Sequence, residues 1–149
     1  MMAVPRALEL NVNSAYVCMH AGYCHAFSSA PDEGIQWFER AKLLSPLDPL
    51  TFHIHTGMAT VYLMAQRPQE AYDHASRSLA ENANWIVTKR YLVSACGHLG
   101  RTDESRAIVA NILEITAGAN LDLAAAWCPS QDKVAYDYYL DGLRKAGLT

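Results

Sequence analysis

The chain has 149 residues, of which 51% are hydrophobic and 18% charged, with a formal net charge of -3. This length and apolar content predict one domain with a buried core. No run of Lys or Arg occurs, which argues against a nucleic-acid partner, because phosphate backbones are bound by clustered positive charge. No apolar run approaches a membrane span, and no signal-like stretch opens the chain, so we expect a soluble, cytoplasmic protein with no membrane partner.

Turn signals divide the chain into segments of helical length. They fall at Pro31, 45–49, Pro68, 81–84, 100–103 and 128–131. Apolar residues recur every three or four positions inside the segments, and no segment sustains the alternation of a strand, so the pattern predicts an all-α fold. Pro31 and Pro68 suit the first turn of a helix, Asn84 and Thr102 are candidate caps of the helices that follow them, and Gly147 is placed to end the last helix.

Three segments of the chain are similar to one another. They are "APDEGIQWFERAKLLSP" (30–46), "RPQEAYDHASRSLAENA" (67–83) and "RTDESRAIVANILEITA" (101–117). Glu33, Glu70 and Glu104 align in them, and each segment is preceded by another helix-sized segment. A period of roughly 34 residues made of two helices is typical of the tetratricopeptide repeat.

The chain therefore resembles a tetratricopeptide-repeat (TPR) domain, with repeats at 15–48, 52–85 and 86–119. Gly22, Phe38 and Ala41 stand where the family has a small contact residue, a large anchor and a small crossing residue. The resemblance implies an all-α, TPR-like superhelix, a right-handed solenoid of antiparallel helix pairs. We expect a single domain over 1–149, in which 1–14 is part of a preceding repeat and 120–149 forms C-terminal capping helices.

A closer resemblance is to the C-terminal repeat region of bacterial adenylate-cyclase-like and winged-helix regulatory proteins. It is carried by "SPLDPLTFHIHTGMATVYLMAQRPQEA" (45–71), "SACGHLGRTDES" (94–105) and "YLDGLRKAGL" (139–148). In those proteins the cyclase or DNA-binding domain is separate from the repeats. The resemblance thus implies a scaffolding or sensory role in a signalling or regulatory protein, without catalysis.

The TPR resemblance also implies a concave, partner-binding face, formed by fixed positions of each repeat's first helix. The candidate residues here are Tyr16, Met19, Tyr23, Phe27, His53, Thr56, Thr60, Met64, Arg90, Ser94 and His98. Aromatic and Met side chains give a large, adaptable contact area, so the face suits a peptide or protein partner with apolar side chains. Arg90 is the sole cation among these positions.

A second interpretation of the first-repeat positions remains open. A large exposed apolar patch is rare in a soluble monomer, so Tyr16, Met19, Tyr23 and Phe27 could instead be covered by further upstream repeats or by a second copy of the chain. The chain would then be a structural or dimerising segment, and it could form a homodimer. The two interpretations differ in stoichiometry.

The stretch "YVCMHAGYCHAF" (16–27) holds two Cys and two His residues, but it does not predict a metal site. His20 and Cys24 share one helical face while Cys18 and His25 share another, and the spacing fits no zinc template. Packing of Cys18, Cys24 and His25 within the first repeat is the preferred interpretation. We also find no GxSxG, HExxH, GxGxxG or phosphate-loop motif, and we expect no enzyme activity, no cofactor and no metal.

Overall fold

The computed structural model describes residues 13–46 and 51–149, which form eight helices and contain no strand. The helices are α1 (Ala15–Ala26), α2 (Pro31–Leu44), α3 (Thr51–Met64), α4 (Pro68–Glu81), α5 (Ile86–Leu99), α6 (Thr102–Ile115), α7 (Leu121–Ala126) and α8 (Lys133–Lys145). The all-α prediction is confirmed. The expected partial repeat at 1–14 lies almost wholly outside the described residues.

Local chemistry explains where several helices begin. Pro31 and Pro68 are the first residues of α2 and α4, as predicted, where the missing N–H of proline costs no helical hydrogen bond. The Ser14 hydroxyl caps α1 by accepting from the Val17 N–H at 3.4 Å. The Asp132 carboxylate caps α8, accepting from the N–H groups of residues 134 and 135 at 2.9 and 3.2 Å.

Two predicted caps are wrong by one residue. The cap position of α5 is Trp85 rather than Asn84, and that of α6 is Arg101 rather than Thr102. Neither Trp85 nor Arg101 caps its helix through a side-chain hydrogen bond. The Thr102 hydroxyl donates to the carbonyl oxygen of Gly100 at 3.4 Å instead. The tight turn at Gly100, whose φ is 70°, ends α5 and sets where α6 begins.

Helices α1 to α6 pack in a regular order. Each odd-numbered helix contacts the helix that follows it, each of α2 and α4 contacts the next odd-numbered helix, and α1, α3 and α5 contact one another in succession. The result is a row of three helix pairs, α1/α2, α3/α4 and α5/α6. The helices α1, α3 and α5 form one layer of the row.

The first part of the core is built around Phe38 of α2. Its ring is fully buried with Cys18 and Met58, and Tyr23 meets it edge-on at 5.0 Å between ring centres. A Cβ atom at Gly22 would lie 2.7 Å from this ring, so the glycine is needed for α1 and α2 to approach. Burial of a side chain of this size contributes roughly 1.5–3 kcal/mol. The sequence-based roles of Gly22 and Phe38 are confirmed.

The second part of the core joins α3 and α5 to α8. Leu63, Val93 and Leu143 are fully buried in it, and Tyr139 of α8 is 1% exposed. Helix α8 contacts α5 extensively and also contacts α3 and α7. Because α3 and α5 belong to the same layer, α8 lies across that layer and not beyond the end of the row.

Candidate functional site

The predicted partner-binding residues fall into two groups in the structure. The open group lies on α1 and at the start of α3: Tyr16 is 65% exposed, and Met19, Tyr23, Phe27 and His53 are partly exposed. The second group is buried and consists of Thr56, Thr60, Met64, Arg90 and Ser94, and the His98 side chain is only 6% exposed. The expected face is therefore open along α1 and closed along α5.

Helix α8 closes the α5 part of the face. The Ser94 hydroxyl donates to the carbonyl oxygen of Tyr139 at 2.8 Å. The His98 ring nitrogen Nε2 bonds to the carbonyl oxygen of Tyr138 at 2.8 Å, and the two rings stack with their centres 3.6 Å apart. The Ser94 hydroxyl and the His98 ring, which the sequence predicts to contact a separate partner, thus form their hydrogen bonds with the chain's own last helix.

Thr56 and Thr60 point between helices. The hydroxyls of Thr56, Ser78 and Thr88 form a closed triangle with oxygen separations of 2.9, 2.6 and 3.0 Å, and all three residues are buried. The Thr60 hydroxyl donates to the carbonyl oxygen of Thr56 at 2.9 Å. The triangle joins α3, α4 and α5, so Thr56 holds helices together, whereas the bond of Thr60 lies within α3.

Trp85, which is partly exposed, lies beside the open group, and we call the combined set the aromatic face: Tyr16, Met19, Tyr23, Phe27, His53 and Trp85. The Tyr23 hydroxyl donates to the carbonyl oxygen of His53 at 3.3 Å, which ties α1 to α3. The Tyr23 and Phe27 rings stack at 6.2 Å, and the His53 ring meets the Trp85 ring edge-on at 4.8 Å. The indole N–H of Trp85 is buried and has no hydrogen-bond partner in the part of the chain that the structure describes.

The histidines of the "HIH" sequence at 53–55 separate as the helical period predicts. His53 lies on the aromatic face, and burial lowers its pKa. His55 lies inside, where its Nδ1 is 3.0 Å from Nδ1 of His74 on α4. Burial, together with the charges of Lys42 and Arg77, lowers the pKa of His55. His53 and His55 therefore do not converge on one point.

The Cys and His residues of α1 also point apart. Cys18 is fully buried, whereas His20 and Cys24 are exposed, so the expected packing role of Cys24 is wrong. The His25 ring lies 3.2 Å from the carboxylate of Glu33. In the part of the chain that the structure describes, no three His, Cys, Asp or Glu residues lie close enough together to hold a metal ion.

Comparison of the chain with protein families, with curated proteins and with solved structures finds no match. None of the described helices is both long and apolar enough to cross a bilayer.

Sequence reasoning missed the position of α8 against α5. A signal for it is present in the spacing of Ala135, Tyr139, Gly142 and Ala146, which places small residues around one large one on a single helical face. All four are buried. A stripe of this kind lets one helix approach another closely, and its partner is the stripe that contains Ser94 and Gly97 on α5.

Proposed function

We propose that the chain is a non-catalytic protein-interaction module of TPR-like helix pairs, and that it binds a peptide or protein partner on the aromatic face. The regular packing order of α1 to α6 supports the solenoid part of this proposal. In such an arrangement α1, α3 and α5 would line the concave side. The bacterial regulatory proteins that the sequence resembles suggest a scaffolding or sensory role for the module.

The observation that carries the partner proposal is the exposure of Tyr16 next to partly exposed aromatic neighbours. Tyr16 is 65% exposed, and its ring makes an edge contact with the exposed His20 ring at 4.3 Å. Tyrosine combines a large apolar area with few rotatable bonds, and it is enriched where proteins meet. A partner with apolar side chains, in extended or helical form, would fit this surface.

Helix α8 restricts where the partner can bind. The α5 part of the layer is already covered, so the accessible part comprises α1, the start of α3 and Trp85. Arg90, which the sequence places on the same face, is buried and is not part of the proposed contact surface.

A direct test compares two double variants of the full chain. Tyr16→Ser/Phe27→Ala removes the outer rings of the aromatic face, and Leu43→Ser/Leu113→Ser removes two exposed apolar side chains on α2 and α6. Tyr23 is unsuitable because its ring packs on Phe38, so its removal would destabilise the fold. We expect capture of a partner from the native host to be lost only with the first variant. Equal capture by both variants would contradict the proposal.

The second candidate function is self-association through the same face. Tyr16 is 65% exposed beside partly exposed aromatic rings, so a second copy of the chain could cover it. Light scattering over a hundredfold range of concentration, about 1 to 100 µM, distinguishes the two functions. A concentration-independent monomer excludes the dimer, whereas a dimer that Tyr16→Ser/Phe27→Ala dissociates would replace the partner proposal.

A further inference from the structure

Arg90 on α5 is a largely buried cation. The residue is 9% exposed, and among the described residues its fully buried Nε atom has no hydrogen-bond partner. Within residues 13–46 and 51–149, no carboxylate forms an ion pair with it. A buried charge is expensive unless an opposite charge and hydrogen bonds compensate it. The described residues therefore leave the Arg90 guanidinium without a carboxylate partner.

The guanidinium lines a small cavity between α5, α6, α7 and α8. Its walls are mostly apolar and include Ile112, Leu123 and Leu143, while Thr116 and Asn120 supply polar groups at the rim. The ring of Trp127 lies over the guanidinium, with its centre 4.9 Å from Cζ of Arg90. The cavity volume is about 10 Å³, which is room for about one water-sized group.

We propose that this cavity is a binding site for a small monocarboxylic acid with an apolar tail. The carboxylate would pair with Arg90, because the planar guanidinium presents N–H donors in a geometry that matches two carboxylate oxygens. The tail would lie against the Ile and Leu side chains of the wall. Inorganic anions fit less well, because these walls offer few donors to replace a hydration shell.

Displacement of the Trp127 side chain would make room for the tail. Trp127 follows the six-residue helix α7 and is 46% exposed, so moving its ring outward uncovers only part of its apolar surface. In the unliganded state its ring faces the guanidinium and partly compensates the charge by a cation–π contact. A bound carboxylate replaces this compensation with a full opposite charge. The site is separate from the aromatic face and does not depend on the proposed partner.

The test is a titration of the full chain with hexanoate, followed by the NMR signals of the Trp127 indole N–H and the Arg90 Nε–H. Hexanol carries the same tail without the charge, and sodium chloride supplies an inorganic anion. We expect saturable binding of hexanoate, with hexanol and chloride at least about 10-fold weaker. Absence of saturation by about 10 mM hexanoate, or equal binding of chloride, would overturn the proposal.

Two arginine variants locate the charge contact. Arg90→Met should weaken hexanoate binding at least about 10-fold, whereas Arg101→Met should leave it within about twofold. Arg101 is a matched control, because its guanidinium also lies over an aromatic ring, Tyr72, at 3.8 Å, but it is partly exposed and lies 3.8 Å from a Glu104 carboxylate oxygen. Equal hexanoate binding by Arg90→Met and the unaltered chain would refute the role of Arg90.

A third variant keeps the proposal testable if Arg90→Met does not fold. Ala119→Phe adds a ring at a position that lines the cavity, in the segment between α6 and α7, and leaves Arg90 in place. We expect this variant to lose hexanoate binding by at least about 10-fold. Undiminished binding would place the acid elsewhere on the protein and overturn the assignment of the cavity.

Discussion

Gly97 of α5 and Gly142 of α8 face each other so closely that a Cβ atom at Gly97 would overlap the carbonyl group of Gly142. A Cβ atom at Gly142 would in turn overlap the hydroxyl and carbonyl oxygens of Ser94. The two backbones can approach this closely only because neither residue has a side chain. This contact lets α8 pack on the layer of α1, α3 and α5, which the sequence predicts to be open.

Gly97→Ala should therefore loosen α8. The added methyl group meets backbone atoms, which cannot move aside as a flexible side chain could, so we expect a loss of about 1–3 kcal/mol in the free energy of unfolding. Alanine's better helix propensity offsets up to about 1 kcal/mol of the steric cost. The measurement is urea denaturation combined with hydrogen exchange of the amides of α8.

Gly100→Ala is the control for this prediction. Gly100 has open space around its Cβ position, but its φ is 70°, so alanine there is strained without touching α8. It should lower stability by about 1 kcal/mol and leave the hydrogen-exchange pattern of α8 unchanged relative to the rest of the chain. Faster exchange of α8 in both variants would show that the Gly97 contact has no special role.

How much of this fold the sequence predicts depends on the range of the interactions involved. Pro31 and Pro68 act locally, since each fixes the first turn of its own helix, and they are correctly predicted. Gly22 and Phe38 are also correctly predicted as a close-contact residue and a large core residue, because both act within the first helix pair. Trp85 and Arg101 took the cap positions because turn geometry, rather than side-chain capping, sets the start of α5 and α6.

The site was harder to predict because it depends on contacts between distant residues. The sequence places Ser94 and Arg90 on one face, but it does not show that α8, about 45 residues further on, covers Ser94. The cavity at Arg90 also requires Trp127, whose position depends on the course of the chain after α6. The open part of the face, around Tyr16, lies within the first helix pair and was predicted as a candidate contact surface.

The hydroxyl triangle of Thr56, Ser78 and Thr88 should show non-additive mutational effects. Thr88→Val removes one of the three hydroxyls, so the buried hydroxyls of Thr56 and Ser78 each lose one hydrogen-bond partner. We therefore expect a loss of about 1–2 kcal/mol in the free energy of unfolding. The triple variant Thr56→Val/Ser78→Ala/Thr88→Val removes all three hydroxyls together, so no buried hydroxyl of the triangle is left without its partners. Its loss of unfolding free energy should be clearly smaller than the sum of the losses in the three single variants. Chemical denaturation measures each value.

Thr102→Val provides the surface control, since Thr102 is exposed and makes only a long hydrogen bond of 3.4 Å. Its effect should stay within about 0.5 kcal/mol. Strict additivity of the three core substitutions would show that the triangle does not act as a unit.

The four cysteines should differ widely in reactivity. Cys24 is exposed and should be modified first by a thiol reagent. Cys96 is fully buried, and burial raises the pKa of its thiol to about 12, so it should stay unmodified until the chain unfolds. Mass spectrometry of the native and urea-unfolded protein after labelling checks this order. Cys24→Ser should abolish the fast phase, and early labelling of Cys96 would contradict the packing of α5.

The His55 and His74 pair should make stability fall as pH falls. Burial, with the neighbouring His55 as the next cause, lowers the pKa of His74 to about 4 from an ordinary value of 6.5. Burial disfavours a charge on either ring, and the two Nδ1 atoms, 3.0 Å apart, can share one proton while both rings stay neutral, so the folded state favours the neutral pair. Protons therefore bind the unfolded chain more readily, and the contribution is complete above about pH 6.5 and is lost on acidification toward pH 4.

Because His74 retains some solvent contact, we expect the loss between pH 7 and 5 to be roughly 1 kcal/mol. His74→Gln keeps a hydrogen-bonding side chain but does not titrate, so the slope of unfolding free energy against pH should flatten over this interval. His20→Gln alters an exposed histidine on α1 and should leave the slope as it is. If both variants keep the slope of the unaltered chain, the titration that limits stability in acid lies elsewhere, and the buried pair does not act as the structure indicates.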